Sequence, residues 1–133
     1  MIIDASALLA VLLDEPGGKR YADAIMGAEQ RQMPSVTWFE ASLALERDGN
    51  EYIRSQFDDA IRILDIEVIA FTPEHAQRAR QARRLYGRGR HPAQLNFGDC
   101  MVYAVAKSEG RPLLFKGNDF SQTDVEPALR GIE

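Results

Sequence analysis

The chain has 133 residues, 45% of them hydrophobic and 27% charged, enough for one domain with its own core and too few for two. No apolar run approaches the roughly 18 residues needed to cross a bilayer, and Met1-Ile2-Ile3-Asp4 lacks the basic lead and apolar stretch of a secretory signal. Cys100 is the single cysteine, which excludes an internal disulfide and a thiolate metal cluster, so a cytoplasmic protein with one domain over residues 1–133 is expected.

In chain order, short apolar strands alternate with amphipathic helices, the pattern of a parallel α/β sheet. Residues 1–3 read as a strand and 5–13 as a helix, broken by Asp14-Glu15-Pro16-Gly17-Gly18. A second helix is expected over 18–28 and a strand over 31–33, ending at Pro34. Ser35 suits the N-cap of a helix running to about Arg47. Another helix covers 50–64, and 66–71 is a strand. Thr72-Pro73-Glu74 opens a helix with Pro73 at its first position, ending near Tyr86-Gly87. Residues 87–97, rich in Gly, Arg and Pro, read as a mobile loop. A nearly all-apolar helix starts at Gly98-Asp99 and runs to about Glu109, Gly110 stops it, and 112–115 is the last strand.

The net charge of −4 argues against a polyanionic partner until its distribution is considered. Between His75 and Gly98 stand six arginines (78, 80, 83, 84, 88 and 90) and no acid, so ten net negative charges lie on the rest of the chain. A local field decides where a polyanion docks. Taken alone, the run is equally well a solvated helix face and a basic loop, and it gains meaning only beside a phosphodiester-cleaving site.

Four acids occupy positions suited to such a site. Asp4 follows the first strand, at the carboxyl end where open α/β sheets bind ligands, although a helix N-cap accounts for it equally simply. Glu40 shares a helical stripe with Val36, Phe39, Leu43 and Ala44, where a carboxylate needs a partner unless it reaches water at the stripe's edge. Asp99 opens the apolar helix, as a cleft residue or as its cap. Asp119, in Lys116-Gly117-Asn118-Asp119-Phe120, follows the last strand, as a site residue or a polar turn. Carboxylates about 5 Å apart repel by roughly 3 kcal/mol at an effective dielectric of 20, which a hard cation such as Mg²⁺ or Mn²⁺ would relieve.

Met1-Ile2-Ile3-Asp4-Ala5-Ser6, Pro34-Ser35-Val36 with Glu40, Asn96-Phe97-Gly98-Asp99-Cys100, and the segment from Leu113 to Phe120 follow one another over nearly the whole chain. In this order and spacing they resemble the PIN-domain nucleases, specifically the VapC-type toxins of bacterial type II toxin–antitoxin pairs. The resemblance implies a three-layer α/β/α fold around a parallel sheet of about five strands. It implies an endoribonuclease dependent on Mg²⁺, with Mn²⁺ as a substitute, that hydrolyses RNA through a metal-activated water. Asp4, Glu40 and Asp99 match the metal-binding triad and Asp119 the fourth acid, with Ser6, Asn118 and Asp124 in supporting positions. Many relatives carry a second acid where this chain has Asn118, which leaves the fourth ligand open.

With no histidine at these positions, the metal would carry the activation, and His75 and His91 are expected at the surface. Arg83, Arg84, Arg88 and Arg90 are candidate phosphate contacts, because guanidinium forks match phosphate oxygens. The family also implies homodimers and a cognate VapB-type antitoxin that docks a helix in an apolar groove and reaches a basic side chain into the acids. Trp38, Phe39 and Leu43 could line that groove, although ordinary core is the plainer reading. A phosphotransfer receiver domain is disfavoured, since the acid after the first strand is single and no Asp ends the 66–71 strand. A PIN fold that binds RNA or protein without cutting is the alternative; the intact triad weighs against it. Neither the RNA substrate nor the number of metal ions can be read from the chain.

Overall fold

The computed structural model describes residues 1–48 and 51–129. Its elements follow in order: β1 (Ile2–Ile3), α1 (Ala5–Leu12), α2 (Gly18–Gly27), β2 (Gln32–Pro34), α3 (Ser35–Asp48), α4 (Glu51–Ile63), β3 (Glu67–Ile69), α5 (Pro73–Tyr86), α6 (Phe97–Glu109) and β4 (Leu113–Leu114). The expected start of α4 at Asn50 lies outside the described residues. The strands form one parallel sheet in the order β3-β2-β1-β4, with Ile2 opposite Gln32 on one side and Leu113 on the other.

Side chains of a strand alternate between faces, and the two central strands use this to build two cores. Ile3 and Leu114 join Leu8, Ile25, Ala41 and Phe57 on the face covered by α1 to α4. Ile2 and Leu113 join Ala82, Val102 and Val105 under α5 and α6. All four strand side chains are fully buried, which is why these strands are uninterrupted apolar pairs rather than alternating ones. The expected α/β/α layering follows directly. Among the described residues four strands are formed rather than about five. The fifth place is taken by one bridge: the Leu113 N–H donates to the Glu126 carbonyl (2.8 Å) and the Ala128 N–H to the Leu113 carbonyl (2.8 Å). Pro127 at the centre of that bridge has no N–H to extend a ladder, which suits an edge.

Several expectations are corrected. The buried face of α3 is Thr37, Ala41 and Leu45, so the stripe of Val36, Phe39 and Leu43 turns away from the core. Phe39 is 57% exposed and Leu43 47%, while Trp38 is half-buried against Phe57. His75 is buried rather than at the surface. It stands at the third position of α5, where its Nδ1 accepts the Thr72 N–H (3.0 Å) in a reciprocal cap, and this turns Nε2 toward Glu109 of α6 (3.1 Å). His91 is half-buried, its ring edge-on to Tyr86.

The 87–97 segment is pinned, not loose. Leu95 exchanges backbone hydrogen bonds with Tyr86 and Arg88, and Ala93 and Leu95 are buried in the second core. Two apolar residues among the glycines and arginines are enough to anchor it.

Candidate active site

The parallel topology brings the carboxyl ends of β1 and β4 side by side, and these carry Asp4 and the turn bearing Asp119. Asp4 caps α1: its Oδ2 accepts the Ser6 N–H (3.1 Å) and the Ser6 hydroxyl (2.5 Å). Ser6 Oγ in turn accepts the Lys116 N–H (2.9 Å), so one hydroxyl ties the first strand's acid to the last strand's end. Asp4 is therefore the N-cap of α1, and the cap stands beside the end of β4. Past Lys116, Gly117 adopts φ 100°, a left-handed turn that favours glycine, and the exposed Asn118 and Asp119 follow. The Asn118 carbonyl accepts the Ser121 N–H (3.2 Å) and hydroxyl (2.7 Å), holding the turn closed.

Asp99 does not cap α6. Asn96 does, its Oδ1 accepting the Asp99 N–H (2.8 Å) while Asp99 Oδ2 accepts the Asn96 N–H (3.1 Å). α6 accordingly begins at Phe97, and Asp99 is held, buried, on its first turn. Glu40 reaches this turn from α3 by lying against Gly98. A Cβ on Gly98 would stand 2.7 Å from the Glu40 Cδ and 2.9 Å from its Oε1, inside any ordinary contact distance. This role of Gly98 was missed from sequence, where a glycine beside Asp99 in an otherwise apolar first turn was the available signal.

Electrostatics ties the four acids together. Burial raises the Asp4 carboxyl above its usual range, against the Ser6 hydrogen bonds, and Asp119 adds to the rise. Glu40 is raised by burial and then by the Asp4 charge. Asp99 is pushed up to about 7, by burial above all, against the Asn96 bond, and then by Asp119, Asp4 and Glu40. Among the described residues none of the four pairs with a Lys, Arg or His. The acids share a field but not yet a ligand shell: no three His, Cys, Asp or Glu side chains among the described residues are grouped closely enough to hold an ion. As donors they offer only hard carboxylate oxygens, which fit Mg²⁺ or Mn²⁺.

The supporting residues divide. Ser6 touches Asp4 directly. Asp124 accepts the Tyr103 hydroxyl (2.5 Å) and pairs with Lys107 (3.3 Å), both on α6, and these hold its carboxyl below the usual range. It fastens the segment after Asp119 to α6. Of the candidate phosphate contacts, all are exposed; Arg83 and Arg88 line a pocket beside Asn96 and Phe97, whereas Arg84 and Arg90 lie outside it.

Exchanging Gly98 for alanine tests the seat of Glu40. The clash is with the far end of a flexible side chain, so Gly98→Ala should fold and melt near wild type. The activity this site carries should fall about 10- to 100-fold, the usual cost of disturbing a group that orients a functional side chain. An activity assay beside a melting curve decides this.

The fold and site define a class. The sequence profile of the PIN domain matches residues 1–126, and the chain belongs to the PIN-domain family. Within it, the chain is 41% identical over 125 residues to Ribonuclease VapC30 of Mycobacterium tuberculosis, covering 94% of this chain and 95% of that one. Solved structures share the fold at low identity. VapC20 of Mycobacterium tuberculosis, described as a sarcin-ricin loop cleaving toxin, superposes with a TM-score of 0.74 at 16% identity, covering 93% of this chain and 95% of that one. A toxin–antitoxin complex from Klebsiella pneumoniae gives 0.69 at 18% identity, over 92% of each chain. Among the described residues no helix is long and apolar enough to cross a membrane.

Proposed function

We propose that this chain is the toxin of a toxin–antitoxin pair, a Mg²⁺-dependent endoribonuclease that hydrolyses an RNA phosphodiester with a metal-activated water. The observation that carries the reading is four carboxylates at one end of a parallel sheet, within each other's field and without a cationic partner among the described residues. A cation relieves that repulsion, and VapC ribonucleases at 41% identity support the nuclease reading.

Asp4, Glu40 and Asp99 would hold the metal, with Asp119 at the exposed rim as the fourth acid. When bound, the ion lowers the pKa of a coordinated water and offsets the charge that develops on the phosphate. Ser6 ties the Asp4 carboxylate to the β4 end, and the Asn96 N–H fixes the Asp99 carboxylate at the start of α6. Gly98 gives Glu40 its place. Arginines of the acid-free stretch supply phosphate contacts. The test is incubation of total cellular RNA with purified protein, in Mg²⁺, Mn²⁺ or EDTA. Discrete fragments that require metal support the enzyme; no cleavage by metal-loaded, antitoxin-free protein leaves a binding module instead.

Neutralisation by a VapB-type antitoxin and assembly as a homodimer belong to the same reading. Phe39 and Leu43, exposed on α3 on either side of Glu40 in sequence, form an apolar face from which a basic side chain could reach the acids. Phe39→Asp should therefore cost co-purification with the coexpressed antitoxin while RNA cleavage persists. Retained co-purification would move the docking face elsewhere, and sedimentation of the purified toxin reads the dimer.

A further inference from the structure

A pocket of about 650 Å³ opens between α5 and α6. Phe71, Ala79 and Leu95 give it apolar walls, and Arg80, Arg83, Arg88 and Phe97 line it as well. Phe97 is 82% exposed, an apolar ring left in water on the first turn of α6, two residues before Asp99. Burying a ring of this size is normally favourable by about 2 kcal/mol, and here the ring adjoins an apolar pocket, so ring and pocket together offer a contact surface. Among the described residues neither Arg83 nor Arg88 has a carboxylate partner.

We propose that this pocket receives one unpaired RNA base next to the bond that is cut, with Phe97 against the base and Arg83 and Arg88 on the flanking phosphates. The proposal rests on the ribonuclease reading and adds to it the form of the substrate. A nucleotide combines a flat apolar face with an adjoining anion, and the pocket combines an apolar well and an exposed ring with three guanidinium groups. A paired base has both faces stacked and its edge occupied, so it cannot enter; the site selects single strands, loops or bulges. A second copy of the chain is the rival occupant, and sedimentation of the variants separates the two.

The experiment compares wild type, Phe97→Ala and Arg88→Ala. Affinity for a labelled single strand of about 12 nucleotides and for its duplex is read in EDTA, and KM for cleavage in Mg²⁺. Phe97→Ala should weaken single-strand binding and raise KM by about 10-fold or more, the usual worth of one stacked base, with its salt dependence unchanged. Arg88→Ala should instead flatten the dependence of log affinity on log salt by about 0.7. Strands carrying one abasic nucleotide, scanned along the sequence, should show one position where binding falls as it does for Phe97→Ala and where that variant costs nothing further. Unchanged affinity and KM in Phe97→Ala overturn the pocket, as does a variant whose sole change is loss of self-association in sedimentation. Wild type that cuts RNA but is indifferent to Phe97 removes the base pocket alone. Wild type that neither binds nor cuts RNA removes the ribonuclease reading as well.

Discussion

Replacing Asp4 with asparagine is expected to reduce RNA cleavage by about 10³-fold or more while leaving the fold intact, since losing several kcal/mol of transition-state stabilisation costs that much in rate. The substitution is chosen so that structure and chemistry separate. Asparagine is as good an N-cap as aspartate, and its carbonyl oxygen can accept the same Ser6 N–H and hydroxyl, so α1 and the link to β4 survive. What is lost is one charge from a set of mutually repelling acids. Without metal, Asp4→Asn should therefore melt higher than wild type near neutral pH, because burial and Asp119 both oppose the Asp4 charge. With metal, its melting temperature should gain less than wild type's. Cleavage of total RNA and paired melting curves read both effects. A variant that cuts at the wild-type rate would remove Asp4 from the chemistry and with it the metal reading.

The second expectation concerns pH. Asp99 is pushed up to about 7, and Asp4 and Glu40 are raised in the same direction. A carboxyl whose pKa is higher in the folded state than in the unfolded one binds its proton more tightly when folded. It therefore contributes stability that is full at low pH, below the unfolded value, and is lost as pH rises through the folded value. Metal-free protein should lose melting temperature steadily from about pH 4 to about 7 and change little beyond. A divalent ion needs the deprotonated acids, so added Mg²⁺ should raise the melting temperature by several degrees above about pH 7 and barely at all near pH 5. A metal-free melting temperature that rises across this interval would mean that the acids are compensated by something other than an ion. The same groups predict that cleavage in saturating Mg²⁺ climbs with pH and levels off above neutrality.

The acids differed in how far the chain exposed their role. Asp4 and Asp119 were legible because each directly follows an apolar strand, and parallel strands deliver such residues to one sheet end. Glu40 was harder. The stripe it shares with Val36, Phe39 and Leu43 suggests a core face, but helical periodicity gives the spacing of a face and not its direction. The packing of Thr37, Ala41 and Leu45 onto the sheet turned that stripe outward. His75 was misplaced for a similar reason: its burial depends on a reciprocal cap and on Glu109, 34 residues away.

By itself the sequence determined what local chemistry controls. Strand-sized apolar runs, a proline opening α5 and a glycine closing α6 specify the alternating elements and hence the parallel sheet with its ligand end. Four acids at recognisable positions motivate the metal-site proposal. Only the tertiary structure decided which groups meet: Ser6 with the Lys116 backbone, Glu40 with the bare Gly98, and Phe97 with the arginines of one pocket. Each of these contacts joins residues on different elements, or sets the exposure of a side chain through the burial of its neighbours. Such relations come from close packing in three dimensions, and no periodicity along the chain encodes them.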